Sequence, residues 1–169
     1  MLIFAAMKKL KIQTGEDNPI LRRVSDEVNQ IDAGMRKFVK EMKKMMLKED
    51  GLGLAAPQVG RNIRIVIVTL GYKTDNPMVT VMINPKILEM SDQTAIYEEG
   101  CLSLPKVFGK VERPSEVVVQ FDDVDGATQV LKLDGMNARI VQHEMDHLNG
   151  VLFVDYLKGQ EQKEKELLF

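Results

Sequence analysis

From Asp32 to Gly51 the apolar residues Met35, Phe38, Val39, Met42, Met45 and Met46 recur three or four positions apart, with lysines and Glu41 between them. That interval is one face of a helix with 3.6 residues per turn, so the segment is predicted to be an amphipathic helix stopped near Gly51. Its methionine stripe reads as core packing rather than as an open binding face. The pattern then changes. The run IRIVIVTL at 63–70 is almost continuously apolar and β-branched, as a strand covered on both faces should be. MVTVMINP at 78–85 reads as a second strand, ended by Pro85, and EVVVQF and TQVLKL flank Asp125 and Gly126 as the arms of a hairpin. In GMNARIVQHEMDHLNG at 135–150 helical spacing returns, with Met136, Ile140, Val141, Met145 and Leu148 as apolar positions and Gly150 as the stop. Strands and helices do not alternate regularly, which favours α+β over a doubly wound sheet.

At 169 residues the chain suffices for one domain with a real core, so 1–169 is read as a single domain, with 1–7 readable as a leader and 158–169 as a charged C-terminal tail. The opening MLIFAAMKK holds too short an apolar run to span a bilayer and lacks a signal-peptide layout; Met7 could serve as an alternative start. A net charge of -2 gives no case for a nucleic-acid or anionic-membrane surface. One cysteine cannot form an internal disulfide, and eleven methionines suit a reducing compartment, so a cytoplasmic protein is expected.

The chain has two histidines, His143 and His147, with Glu144 beside the first. On a helix, positions i and i+4 share one face, so both imidazoles can reach one ion, and the glutamate can act as base on a water activated there. This is the mechanics of the HExxH pattern, although the spacing alone also fits two histidines packed on an ordinary helix face. A catalytic site of this kind needs a third protein ligand and an open position. The continuation HExxHxxGxxH matches at Gly150 but has Phe153 where the last histidine belongs, while Glu161, Glu164 and Glu166 lie in a run that reads as solvated. Cys101 remains, in EEGCLSLP, a composition suited to a turn or strand end. A thiolate is a strong ligand for a borderline divalent ion; the competing reading of a lone cysteine is a small buried hydrophobe.

Three segments together, GLGLAAPQVG at 51–60, EEGCLSLP at 98–105 and QHEMDHLNGVLFVDYL at 142–157, resemble the peptide deformylases, whose motifs read GxGLAAxQ, EGCLS and QHExDH in this order. VMINP and VERP between them also look like that family, so the resemblance runs from about Pro19 to Leu157. It implies removal of the N-formyl group from the initiator methionine of newly made polypeptides. It implies one divalent metal ion, usually Fe(II), with zinc, nickel or cobalt able to replace it, bound by Cys101, His143, His147 and a water. It implies Glu144 as general base and then proton donor, with the Gln58 amide and the Leu102 backbone N–H as oxyanion donors. Gly53, lacking Cβ, would let the backbone pair with an extended peptide. Met136 and Ile140, at i−7 and i−3 from His143, can wall the methionine pocket or simply pack in the core. Asp146 is expected to pair with Arg113, Glu99 to hold a ring N–H or a cation, and Arg139 to pair with a carboxylate.

The expected fold is therefore α+β, with mixed or antiparallel strands around a central metal-binding helix and an N-terminal amphipathic helix. The expected partners are N-formylmethionyl nascent peptides met by a monomer. A transient ribosome association is left open, with a long C-terminal helix expected to be absent or reduced because the chain beyond Leu157 is short. Phe108 stands where some relatives place a basic residue, which bears on how the peptide is gripped. Two rivals remain: another metal-dependent peptidase, which would cleave internal bonds without releasing formate, and a binding module with a structural metal, which has no use for Glu144 or Gln58.

Overall fold

The computed structural model describes residues 9–166; the leader expected at 1–7, Met7 included, lies outside them. In chain order the elements are helix α1 (Pro19–Arg22), helix α2 (Ala33–Lys48), strand β1 (Gly53–Ala55), a 3-10 turn (Ala56–Val59), strands β2 (Ile65–Leu70), β3 (Met78–Met90), β4 (Thr94–Cys101), β5 (Leu104–Pro114), β6 (Glu116–Asp122) and β7 (Thr128–Asp134), and helices α3 (Gly135–Leu148) and α4 (Phe153–Glu166). Two antiparallel sheets result, a five-stranded one in the order β1-β2-β3-β6-β7 and a separate β4-β5 hairpin. The fold is thus mixed α+β with antiparallel sheets.

The continuous apolar run of β2 is explained by two cores. Side chains alternate across a strand, so Ile65 and Ile67 join Phe38, Met42 and Met46 of α2 on one face, while Val66 and Val68 join Val141, Met145 and Leu148 of α3 on the other. Helix α2 starts where Asp32 accepts a hydrogen bond from the Met35 N–H at 2.7 Å, an N-cap that satisfies one of the free N–H groups of the first turn. It ends at Lys48, just short of the expected stop at Gly51. Each fully buried Phe or Met of α2 contributes roughly 1.5–3 kcal/mol of burial.

Pro85 does not end its strand. β3 runs on to Met90, and the proline sits where the pairing with β6 slips: Ile83 opposes Asp122 and Lys86 opposes Gln120, so one extra residue is accommodated. A bulge tolerates a residue without an N–H, and Asn84 within it takes φ 51 and bonds Val28 through both ends of its amide. The slip also exchanges faces, so Ile83 packs with α2 and Ile87 with α3. The charged segment after Leu157 is no loose tail; it continues α4 to Glu166, so a C-terminal helix is present. Arg22 clamps that helix through Asp155, at 2.6 and 3.0 Å. Gly150 ends α3 for two reasons: its φ is +72, and a Cβ there would lie 2.8 Å from the Arg22 carbonyl carbon. No helix of the described residues is long and apolar enough to cross a membrane.

Candidate metal centre

Helix α3 brings His143 and His147 one turn apart beneath the tip of the β4-β5 hairpin, where Cys101 is the last residue of β4. One ligand atom from each of the three lies within 4.8 Å of the others, and Cys101 Sγ stands 3.3 Å from His147 Nε2. Donors bound to one tetrahedral ion at ordinary Zn–S and Zn–N lengths sit about 3.5 Å apart, so the cluster has the size an ion requires. Glu99 Oε2 lies 2.9 Å from His143 Nδ1, which leaves Nε2 of that ring to face the other two donors. Burial holds His147 well below its usual pKa, hence neutral, the form in which imidazole ligates. Against burial, which lowers it, hydrogen bonds to Cys101 and Glu99 raise the His143 pKa to about 10, so an ion bound here would displace that proton. One sulfur and two imidazole nitrogens are a donor set for a divalent ion of borderline softness.

The expected pairings of Arg113 and Arg139 prove to be parts of one buried network. Arg113 donates to both Glu99 oxygens, at 2.7 and 3.0 Å, and to Asp146 Oδ2 at 2.7 Å, while Arg139 donates to Glu99 Oε1 at 2.9 Å. Tyr156 donates its OH to Asp146 at 3.0 Å and lies under the Arg113 guanidinium, 4.7 Å from ring centre to carbon. Burial alone would raise the Glu99 pKa, but hydrogen bonds from His143 and Arg113 hold it well below the usual carboxylate range. Burial likewise opposes the charge on Arg113, and its two carboxylates raise its pKa above the ordinary value. The network stands behind His143 and fixes its ring.

Glu144 is 5 % exposed, and its Oε2 has no hydrogen-bond partner among the described residues. Burial raises its pKa to about 7, against the opposing charge of His143. Gly53 makes room for this carboxylate: a Cβ at residue 53 would lie 2.6 Å from Glu144 Cγ. Glycine is needed there for that reason, which is separate from the backbone approach expected from sequence. The Ala55 N–H donates to Gln58 Oε1 at 2.8 Å, which turns Nε2 toward Ser103 Oγ at 3.1 Å and Cys101 Sγ at 3.4 Å. Gly53, Gln58, Leu102, Met136, Ile140, His143 and Glu144 all line one cleft of about 610 Å³. Met136 and Ile140 also pack in the core around α3, as the packing reading of these residues expects.

With that geometry in place, the polypeptide deformylase family model matches residues 9–163. The chain belongs to the polypeptide deformylase family. A peptide deformylase from Mesorhizobium japonicum is 44% identical over 140 residues, 83% of this chain and 80% of that protein. The crystal structure of a probable peptide deformylase from Synechococcus phage S-SSM7 superposes with a TM-score of 0.81 at 44% identity, covering 87% of this chain and 99% of the other. A deformylase from Acinetobacter baumannii, solved with Met-Ala-Ser bound, gives a TM-score of 0.80 at 35% identity over 87% and 97% of the two chains. This deformylase is accordingly a hydrolase of the formyl amide, acting in the removal of the N-formyl group from nascent peptides.

Sequence reasoning missed two members of the deformylase's site region, Ser103 and Tyr156. Ser103 is fully buried against Gln58, and its position two residues after Cys101 was the one available signal. Tyr156 reaches Asp146 from the next helix, a contact no spacing could announce.

Proposed function

We propose that Glu144 is the general base, and then the proton donor, of formyl-amide hydrolysis in this cleft, with Cys101, His143 and His147 holding one divalent ion. Fe(II) is the ion the resemblance implies, and the same donors would take zinc, nickel or cobalt. When bound, such an ion supplies Lewis-acid chemistry and makes a water nucleophilic near neutral pH. The chain's own groups do the rest. Glu144 accepts the proton of the attacking water and delivers it to the departing amine; a pKa raised by burial to about 7 suits both roles. Gln58 Nε2 and the Leu102 N–H donate to the formyl oxygen as negative charge develops on it.

Strand β1 guides the peptide. It is the edge of the five-stranded sheet, and the Thr69 N–H bonds the Leu52 carbonyl, so antiparallel alternation directs the N–H and C=O of Gly53 away from β2. An extended substrate can add there as a further strand with its methionine side chain against Met136 and Ile140. The Met-Ala-Ser held by the Acinetobacter relative supports a substrate that begins with methionine. The same reading makes the protein a cytoplasmic monomer acting on N-formylmethionyl nascent peptides, with any ribosome association transient.

The observation that carries this mechanism is the unpartnered, buried Glu144 Oε2 beside three convergent ligand atoms. Burying a carboxylate oxygen without a partner costs stability, and a purely structural ion site has no need of it. The test is anaerobic purification with metal analysis, then formate release from a formyl-Met peptide by wild type and Glu144→Ala. A metal-loaded but nearly inactive variant is expected; full activity in it sinks the mechanism.

A further inference from the structure

We propose that Phe108 forms an apolar shelf at the mouth of the cleft, selecting substrates that carry an apolar side chain at one of the two residues after the formylmethionine. This deepens the function proposed above and rests on it. The hairpin register places the shelf. Cys101 pairs with Leu104 but Gly100 pairs with Phe108, so Pro105, Lys106 and Val107 leave the ladder, with Lys106 at φ 64. The chain re-enters the ladder at Phe108, whose ring lies on Gly100; a Cβ at residue 100 would be 2.8 Å from the ring. Glycine therefore seats the ring beside the Cys101 ligand.

Seated is not buried. Phe108 is 66% exposed, the largest exposure among the large apolar side chains described. Val107 and Leu52, which line the same cleft, are 40% and 36% exposed. Apolar side chains clustered in water at the opening of a peptide cleft are stabilised only when an apolar group covers them. A peptide with its methionine against Met136 and Ile140 and its backbone along Gly53 must leave across this mouth. Glu49, Asp50 and Glu98 line the same cleft, and of its two basic side chains Arg139 is already paired with Glu99, which leaves Lys106 alone against three carboxylates and disfavours an acidic side chain there.

The test compares kcat/KM for formate release from formyl-Met-Leu-Leu-amide and formyl-Met-Gly-Gly-amide, with wild type, Phe108→Ala and Phe108→Tyr. Wild type is expected to prefer the leucine peptide about tenfold, the scale of covering one or two apolar groups in a pocket. In Phe108→Ala the ratio should fall to within about twofold of unity, with the change in KM, and Phe108→Tyr should keep the preference. An equal ratio in wild type and Phe108→Ala, or no preference in wild type, overturns the shelf alone. No formate from either peptide with wild type overturns the reading of the site, and the shelf with it.

Discussion

Helices α2 and α3 cover opposite faces of one sheet and differ in length by two residues, 16 against 14, yet only α3 buries polar side chains along with apolar ones. The buried residues of α2 are Phe38, Val39, Met42 and Met46, and its charges stay in solvent. Helix α3 buries Arg139, Gln142, Glu144 and His147 among its apolar residues. A buried polar group must find a partner, and for Arg139 and Gln142 those partners are Glu99, Val111 and Ala95 of the hairpin and Pro114 at its end. The second sheet is thus the polar complement of α3, to which His147 also turns through Cys101, and among the described residues Glu144 Oε2 is left without a partner. Helix α2 contributes stability; α3 gives part of it up to keep a carboxylate buried without a partner.

The largest effect expected from this contrast is on rate. Glu144→Gln keeps the shape but loses the proposed base, so kcat/KM should fall by about 10²- to 10⁴-fold. Because the wild-type carboxylate is buried without a full set of partners, urea unfolding of the variant should show equal or greater stability than wild type. A variant that kept its activity, or lost stability along with it, would place Glu144 among ordinary structural residues.

Arg113→Met tests the network from the other side. It leaves Glu99 and Asp146 buried without their shared cation, and breaking a buried pair costs about 3–5 kcal/mol, read as a lower urea midpoint. Activity per folded molecule should fall as well, because Glu99 fixes His143. Met42→Ala is the matching cut in α2. It leaves a cavity in an apolar core and should cost roughly 3 kcal/mol, within the range for buried Met→Ala changes. Here kcat/KM per folded molecule should stay within about twofold of wild type, since α2 offers no buried polar group to the cleft. A large rate loss in Met42→Ala would erase the distinction between the helices.

The same contrast explains what the sequence disclosed. α2 and β2 are legible because their burial is apolar and periodic, and the His143 and His147 pair because i,i+4 is itself a geometric statement. Cys101 is a candidate ligand by elimination and by its sulfur chemistry, and the motif around it decides between that and a small buried hydrophobe, since nothing in spacing links β4 to α3. The β4-β5 sheet was not foreseen: Ile96, Tyr97 and Glu98 are all exposed, so the strand lacks the alternation that betrays a half-buried one. Pro85 misled because a proline ends a regular strand but fits a bulge, and bulges leave no compositional mark. Arg113 was linked to Asp146, but its role as a hub with Glu99 and Tyr156 depends on contacts 14 to 43 residues apart.

The smallest effect should come from the solvent face of α2. Lys44 stands 2.8 Å from Glu41, and both are exposed enough for water and salt to screen them. The Lys44 hydrogen bond holds the Glu41 pKa below its ordinary value. A carboxylate whose folded pKa is depressed adds its stability above the unfolded value, near 4.3, and loses it as pH falls through the folded one. Glu41→Gln should therefore lower the urea midpoint slightly at pH 7, with the difference shrinking as the pH falls below the ordinary carboxylate range and in high salt. Formate release should be unaffected at either salt concentration. A difference that grew on acidification would mean that Glu41 is held by something other than its lysine, and that the outer face of α2 is not the plain solvated surface its lysines describe.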